Sequence, residues 1–251
     1  MKHIKTLIIL LLIVVAWLWH RMPIVTGPLT RQTIFVAAAD ALSEHDADDR
    51  PHMLWIDDDG GPGMTDVKRV CDEMGIKAVF AVVPARLGEP LADSLRCWQQ
   101  EGFGIALHGL RHESWLGWTE QQVSTDLGQC RAMLAHRGVD TTRLCPIVVP
   151  PHARNTRAIR AAVEQAGCRM VTGANVVNPS THCQLWGRLW IGRDTDTGKV
   201  RQILERAREK NAFVVLGTHS SQRGEFSQEK VKAVIGMARE MGLTFNSGNI
   251  R

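Results

Sequence analysis

From residue 53 onward, short apolar runs alternate with longer stretches whose apolar residues recur at helical spacing. The runs Met53–Ile56, Lys77–Val83, Phe103–Leu107, Cys145–Val149, Cys168–Thr172, Gln184–Ile191 and Phe213–Leu216 read as strands, with a last short one at Leu243–Phe245. Between them the pattern predicts helices at Met64–Met74, Pro90–Gln100, Thr119–Ala135, Asn155–Gln165, Thr197–Lys210 and Ser227–Met241. Punctuation agrees with these limits. Gly75, Gly167 and Gly242 follow helices, Pro84 and Pro150-Pro151 close strands, and Pro90 sits in a first turn. Thr119 with Gln122 has capping-box spacing, and Asn155 is placed to cap the next helix. Repeated strand–helix alternation predicts a parallel sheet, closed or nearly closed into a barrel, in one domain over residues 53–251.

The first 52 residues differ in character. Lys2 and Lys5 precede an unbroken apolar run from Leu7 to Trp19, then His20 and Arg21. The run falls short of the roughly 18–20 residues that cross a bilayer, and suits the core of an export signal. Bulky Trp17, Trp19 and Met22 leave no small-residue cleavage site. Residues 1–21 are therefore expected to act as an uncleaved signal anchor, with a cleaved signal peptide as the alternative. Either places the domain outside the cytoplasm: inner-membrane anchored and facing the periplasm, or secreted. Residues 22–52 form a polar connector with a short helix near Ile34–Leu42 and an acidic, His-containing tract from Glu44 to His52.

Composition narrows the function classes. The net charge is +4 with Lys and Arg dispersed, so no basic block invites nucleic acid. The six cysteines include no CxxC pair, which removes zinc-ribbon and thioredoxin-type motifs and leaves bridges and buried free thiols both open. No P-loop, dinucleotide fingerprint or GxSxG elbow is present.

The chemistry gathers at the carboxyl ends of the predicted strands, where barrels keep their active sites. Asp57-Asp58-Asp59 follow the first strand, His108-Gly109-Leu110-Arg111-His112 the third, Pro150-Pro151-His152 the fourth and His219 the strand at 213–216. Clustered carboxylates at the end of a buried strand raise one another's pKa or recruit a cation. His108 and His112, four apart, can share one ion on a helical turn. Two histidines with one carboxylate form a familiar catalytic zinc set, and the mixed ligands favour Zn, Co, Ni or Fe over Mg or Ca.

These residues, in this order, resemble the polysaccharide deacetylases, carbohydrate esterase family four. Trp55-Ile56-Asp57-Asp58 looks like the family's first motif, Lys77-Ala78-Val79-Phe80 like its second strand, and His108 to His112 like its metal histidines. The resemblance spans about residues 53–245. It implies a distorted (β/α)7-type barrel and metal-dependent hydrolysis of an N-acyl group, acetyl or formyl, on an aminosugar of a polysaccharide or lipid-linked glycan. By the same correspondence Asp57 is the general base, Asp58 with His108 and His112 holds one divalent transition metal, zinc above all, and His219 is the general acid. Pro151, His152 and Trp115 are the implied substrate contacts. The chain departs from the family in three places. Asp59 replaces a usual Gly, which leaves two further registers: Asp58 as base with Asp59 on the metal, or Asp57 with Asp59. Val149 stands where an Arg usually orients the base, a role open to Arg111, Arg154 or Arg188. Asp194 and Asp196 are the candidates for that Arg's acidic partner. The rival reading is a catalytically silent carbohydrate-binding barrel of a cell-envelope assembly; a phosphoesterase on the same barrel would need a second metal.

Overall fold

The computed structural model describes residues 2–42, 52–221 and 224–246. α1 (Lys2–Arg21), β1 (Ile24–Val25) and α2 (Arg31–Leu42) precede β2 (Met53–Asp57), α3 (Met64–Met74), β3 (Val79–Val82), α4 (Glu89–Gln100) and β4 (Gly104–Leu107). Then come α5 (Glu120–His136), β5 (Ile147–Val148), α6 (Arg157–Gln165), β6 (Arg169–Val171) and β7 (Val176–Val177). β8 (Leu185–Trp186), β9 (Leu189–Trp190), α7 (Thr197–Glu209), β10 (Val214–Thr218) and α8 (Gln228–Glu240) complete the order. The acidic tract expected from Glu44 lies outside the described residues up to position 51.

Eight strands make one sheet in the order β8-β6-β5-β4-β3-β2-β10-β9, and every pairing is parallel. The sheet curls in the manner of the (β/α)7-type fold. Its two edges, β8 and β9, belong to one bent segment, which is why the single strand expected over Gln184–Ile191 is split. Gly187 makes the bend. A Cβ there would lie 2.1 Å from Val176 Cγ2 and 2.9 Å from the Ala174 carbonyl, so only glycine fits. The Asn178 side chain clasps the Gly187 N–H (2.7 Å) and C=O (3.0 Å), satisfying both backbone groups at the seam.

The strands' two faces meet different partners. Leu54, Ile56, Val79, Ala81, Ala106, Ile147, Val149, Val171 and Val215 fill the barrel interior, with Trp186 against Phe213 at 5.0 Å between ring centres. Met53, Trp55, Phe80, Val82, Ile105 and Leu107 face the surrounding helices. Both faces are buried, as expected for parallel strands covered on each side.

The structure differs from the sequence reading in small elements. β1 and β7 pair as a separate antiparallel ribbon, too short to show a period. Leu243–Phe245 is reduced to one bridge between Phe245 and Met53. Thr156, not Asn155, caps α6 by accepting from Ile159 N. None of the six cysteines is in a disulfide, and five of them are buried. Among the described residues no helix is long and apolar enough to cross a membrane.

α2 buries one acid. Asp40 is 1% exposed and one of its oxygens has no partner. Burial pushes its carboxyl up to about 8, against the pull of a bond to Cys183. The folded state then keeps a proton that the unfolded chain releases near pH 3.8, so this site costs stability as pH rises from there to about 8. Asp40→Asn should raise the unfolding free energy by roughly 2–5 kcal/mol at pH 8–9 and leave it unchanged near pH 3. Urea titrations at the two pH values would check this.

Candidate active site

The alternation of β2 decides where the three acids point. Leu54 and Ile56 face the interior, so Asp57 turns to the helix side with Trp55, and Asp58 stands at the barrel mouth. Asp57 is fully buried. It accepts from Thr218 Oγ1 (2.6 Å), Ser220 N (3.0 Å) and Ser220 Oγ, and Thr218 Oγ1 itself accepts from Trp55 Nε1 (2.8 Å). Burial pushes Asp57 up to about 7; the bonds from Ser220 and Thr218 limit that rise and the charge of Asp58 adds to it. Asp57 thus braces β2 to the end of β10.

Asp58 accepts from Arg188 Nη1 at 2.7 Å, and its other oxygen lies 2.8 Å from His219 Nε2 in an ion pair that is not a well-aligned hydrogen bond. Burial opposes its charge, but Arg188, His219 and His108 together hold its carboxyl well below the usual range. Burial lowers His219, and the Asp58 contact more than reverses this, so the imidazole titrates above its ordinary value. Arg188 reaches Asp58 across Gly217. A Cβ at Gly217 would lie 2.7 Å from Arg188 Cδ, so glycine makes room for the Arg stem.

Asp59 leaves the strand with φ 81°, a left-handed turn that aims its carboxylate at the histidines. Its Oδ1 is 3.1 Å from His108 Nε2 and 2.9 Å from His112 Nε2. His108 Nδ1 lies 2.6 Å from the Val149 carbonyl, which can only accept, so Nδ1 carries a proton. In neutral His108 the Nε2 lone pair then faces a carboxylate oxygen. A cation between them removes that conflict. The donor atoms of Asp59, His108 and His112 all lie within 4.8 Å of one another. Two imidazoles and one carboxylate fit a zinc-class ion, and His108 has the backbone acceptor that metal-bound histidines usually find. His112 and His152 also adopt left-handed φ, at 61° and 55°. Backbone strain of this kind concentrates at functional sites.

His219 sits at the end of β10. Its Nδ1 is 3.3 Å from Glu225 Oε2 and its ring packs edge-on to Trp190 at 4.3 Å. Both residues line a cleft of about 600 Å³ with Arg193, Asp194 and Thr195.

Of the residues singled out in sequence, Asp58, His108, His112 and His219 converge, and His152 stands exposed with its ring 4.6 Å from His112. The acids are shifted by one position from expectation. Asp58 lies 3.9 Å from His108 Nε2 and is engaged by Arg188, so Asp59 and not Asp58 completes the His pair. Asp57 faces away from the mouth. Pro151 and Trp115 are buried beneath the loop that carries His112, and Trp115, at 0% exposure, offers no face to a sugar. Asp196 caps α7 and Asp194 is an exposed loop acid, so neither partners Arg188. Trp190, Glu225, Thr218 and Ser220 were missed. Strand parity was the available signal for the acids.

A family model described as polysaccharide deacetylase matches residues 44–171. The chain belongs to the polysaccharide deacetylase family. No curated protein sequence matches it. Among solved structures it is similar to the chitin deacetylase of the fungal pathogen Colletotrichum lindemuthianum (TM-score 0.58, 12% identity, 79% of this chain and 86% of that one). It is also similar to a family 4 acetyl xylan esterase from Clostridium thermocellum solved with a cobalt ion (0.56, 16%, 77% and 86%). A mutant of a family pseudoenzyme with restored activity shares the fold as well (0.53, 11%, 78% and 65%). These likenesses establish a common barrel.

The shifted register makes two distinguishable expectations. Asp59→Ala and His108→Ala should abolish binding of about one zinc-class ion per chain, whereas Asp58→Asn should retain it, as measured by metal analysis after dialysis. Asp57→Ala leaves three donors without their acceptor and should cost roughly 2–4 kcal/mol of stability while metal binding persists.

Proposed function

We propose that this family member is an active, metal-dependent N-deacylase of acylated aminosugars in an envelope glycan, exported and attached to a membrane through residues 1–21. The supporting observation is the division of labour at the barrel mouth: Asp59, His108 and His112 face one point, and Asp58 and His219 meet beside it. Asp59, His108 and His112 would hold a divalent ion, which supplies Lewis acidity at the acyl carbonyl.

The remaining steps belong to the chain's own groups. Asp58 is ionised and takes the proton from the attacking water through a carboxylate oxygen. Arg188 fixes that carboxylate from the opposite side and fills the part for which Val149 is unsuited. His219 gives a proton from Nε2 to the departing amine, breaking the amide C–N bond, while Glu225 at Nδ1 keeps the ring oriented. The surroundings bias both groups in the direction the reaction needs: Asp58 is held low, as suits a base, and His219 is raised, as suits an acid. The exposed His152 and the face of Trp190 flank the entry and would contact the glycan.

The reading is tested by release of acetate or formate from chitin-type, peptidoglycan-type and lipid-linked acylated aminosugars. His219→Ala should keep its metal and lose turnover by about 10²–10⁴-fold. Arg188→Ala should lower kcat with little change in KM. A wild-type chain that binds metal and glycan but releases neither acid from any of them would instead support the silent carbohydrate-binding barrel.

A further inference from the structure

A second cleft, of about 540 Å³, lies at the other end of the barrel. α7 ends and β10 begins beside it, so strand polarity places it at the amino ends of the strands, opposite the active site. It forms where α1 runs out against β1, β7 and the turn after α7. Trp17, His20, Arg21, Glu209, Lys210 and Asn211 line it. The Arg21 guanidinium stacks on the Trp17 ring at 4.9 Å, and Lys210 Nζ donates to the Met22 carbonyl at 3.0 Å.

Two features point to one kind of occupant. From Ile4 to Val15 the large apolar residues of α1 are each 49–69% exposed, on all sides of the helix. An apolar surface of that extent is normally covered by something apolar. At the end of α1 the cleft presents the Trp17 ring beside His20 and Arg21, an aromatic and cationic composition that proteins present to lipid headgroups. The second cation is not part of α1. Lys210 arrives from the end of α7, far along the chain, so the fold itself brings positive charge to the point where the apolar helix ends. Glu209 is the one acid in the lining.

We infer that this cleft is a headgroup site for an anionic phospholipid. Arg21 and Lys210, with His20 beside them, take the phosphate; Trp17 marks the acyl boundary; and α1 lies in the acyl layer. The inference rests on the reading that residues 1–21 attach the chain to a membrane. Lipid held here leaves the active site at the far end of the barrel, facing away from the bilayer.

The test is co-sedimentation of the full chain with phosphatidylcholine vesicles and with vesicles doped with phosphatidylglycerol. The anionic vesicles should bind more tightly. Arg21→Gln and Lys210→Gln should each reduce that advantage by about fivefold. Glu209→Gln should increase it, and molar salt should remove it. The opposite signs guard against a variant that merely misfolds. Equal binding to both vesicles overturns the headgroup site and leaves the membrane reading standing. Binding to neither overturns both.

Discussion

A neutral imidazole has one proton to give, and at His108 the Val149 carbonyl takes it. Much of the active site follows from that bond. It orients the ring, leaves the Nε2 lone pair directed at Asp59, and makes a cation the natural occupant of the gap. It also ties His108, on the loop after β4, to the end of β5, so two neighbouring strands must be in register before the cluster exists. Val149 is therefore useful through its backbone, although its side chain lies in the barrel interior and cannot do the work of an Arg.

The costs of the site are local and offset nearby. Three adjacent carboxylates at a buried strand end would repel one another strongly. The structure separates them by direction: Asp57 into a cage of Thr218 and Ser220 donors, Asp58 onto Arg188 and His219, Asp59 onto the two metal-type histidines. The left-handed φ of Asp59 permits the third of these directions, and the rigid barrel beneath it holds the strain. Arg188 comes from the seam where β8 bends into β9, so the turn of the chain there and the delivery of its guanidinium to Asp58 are one event. Gly187 and Gly217 serve that event by admitting, respectively, the bend and the Arg stem.

Most of the fold was legible because its signals are local. Helix limits at Gly75, the Thr119–Gln122 capping box and the run of strands from β2 to β6 rest on residues a few positions apart. The ribbon of β1 with β7 was not legible, since two-residue strands carry no period. The bend at Gly187 was hidden because its cause, Val176, lies eleven positions earlier in the chain. In the site, the histidines were legible from spacing and position, but the choice among the three registers of the acids was not. Family likeness suggested Asp57-Asp58, while the pleat of β2 sends Asp57 toward the helices. Trp115 was an implied sugar contact and lies in the core.

By itself the sequence determined a barrel of alternating strands and helices, membership of a deacetylase-like pattern, and the strand ends at which acids and histidines collect. Those follow from hydrophobic period and from motif order, which are properties of neighbours along the chain. Only the tertiary structure decided which acid meets the histidines, which Arg reaches Asp58, and that Glu225 stands behind His219. These are contacts across the seam and between strand ends, made by residues 58 and 188 or 59 and 108, and no local pattern encodes the direction of a side chain once the strand has ended.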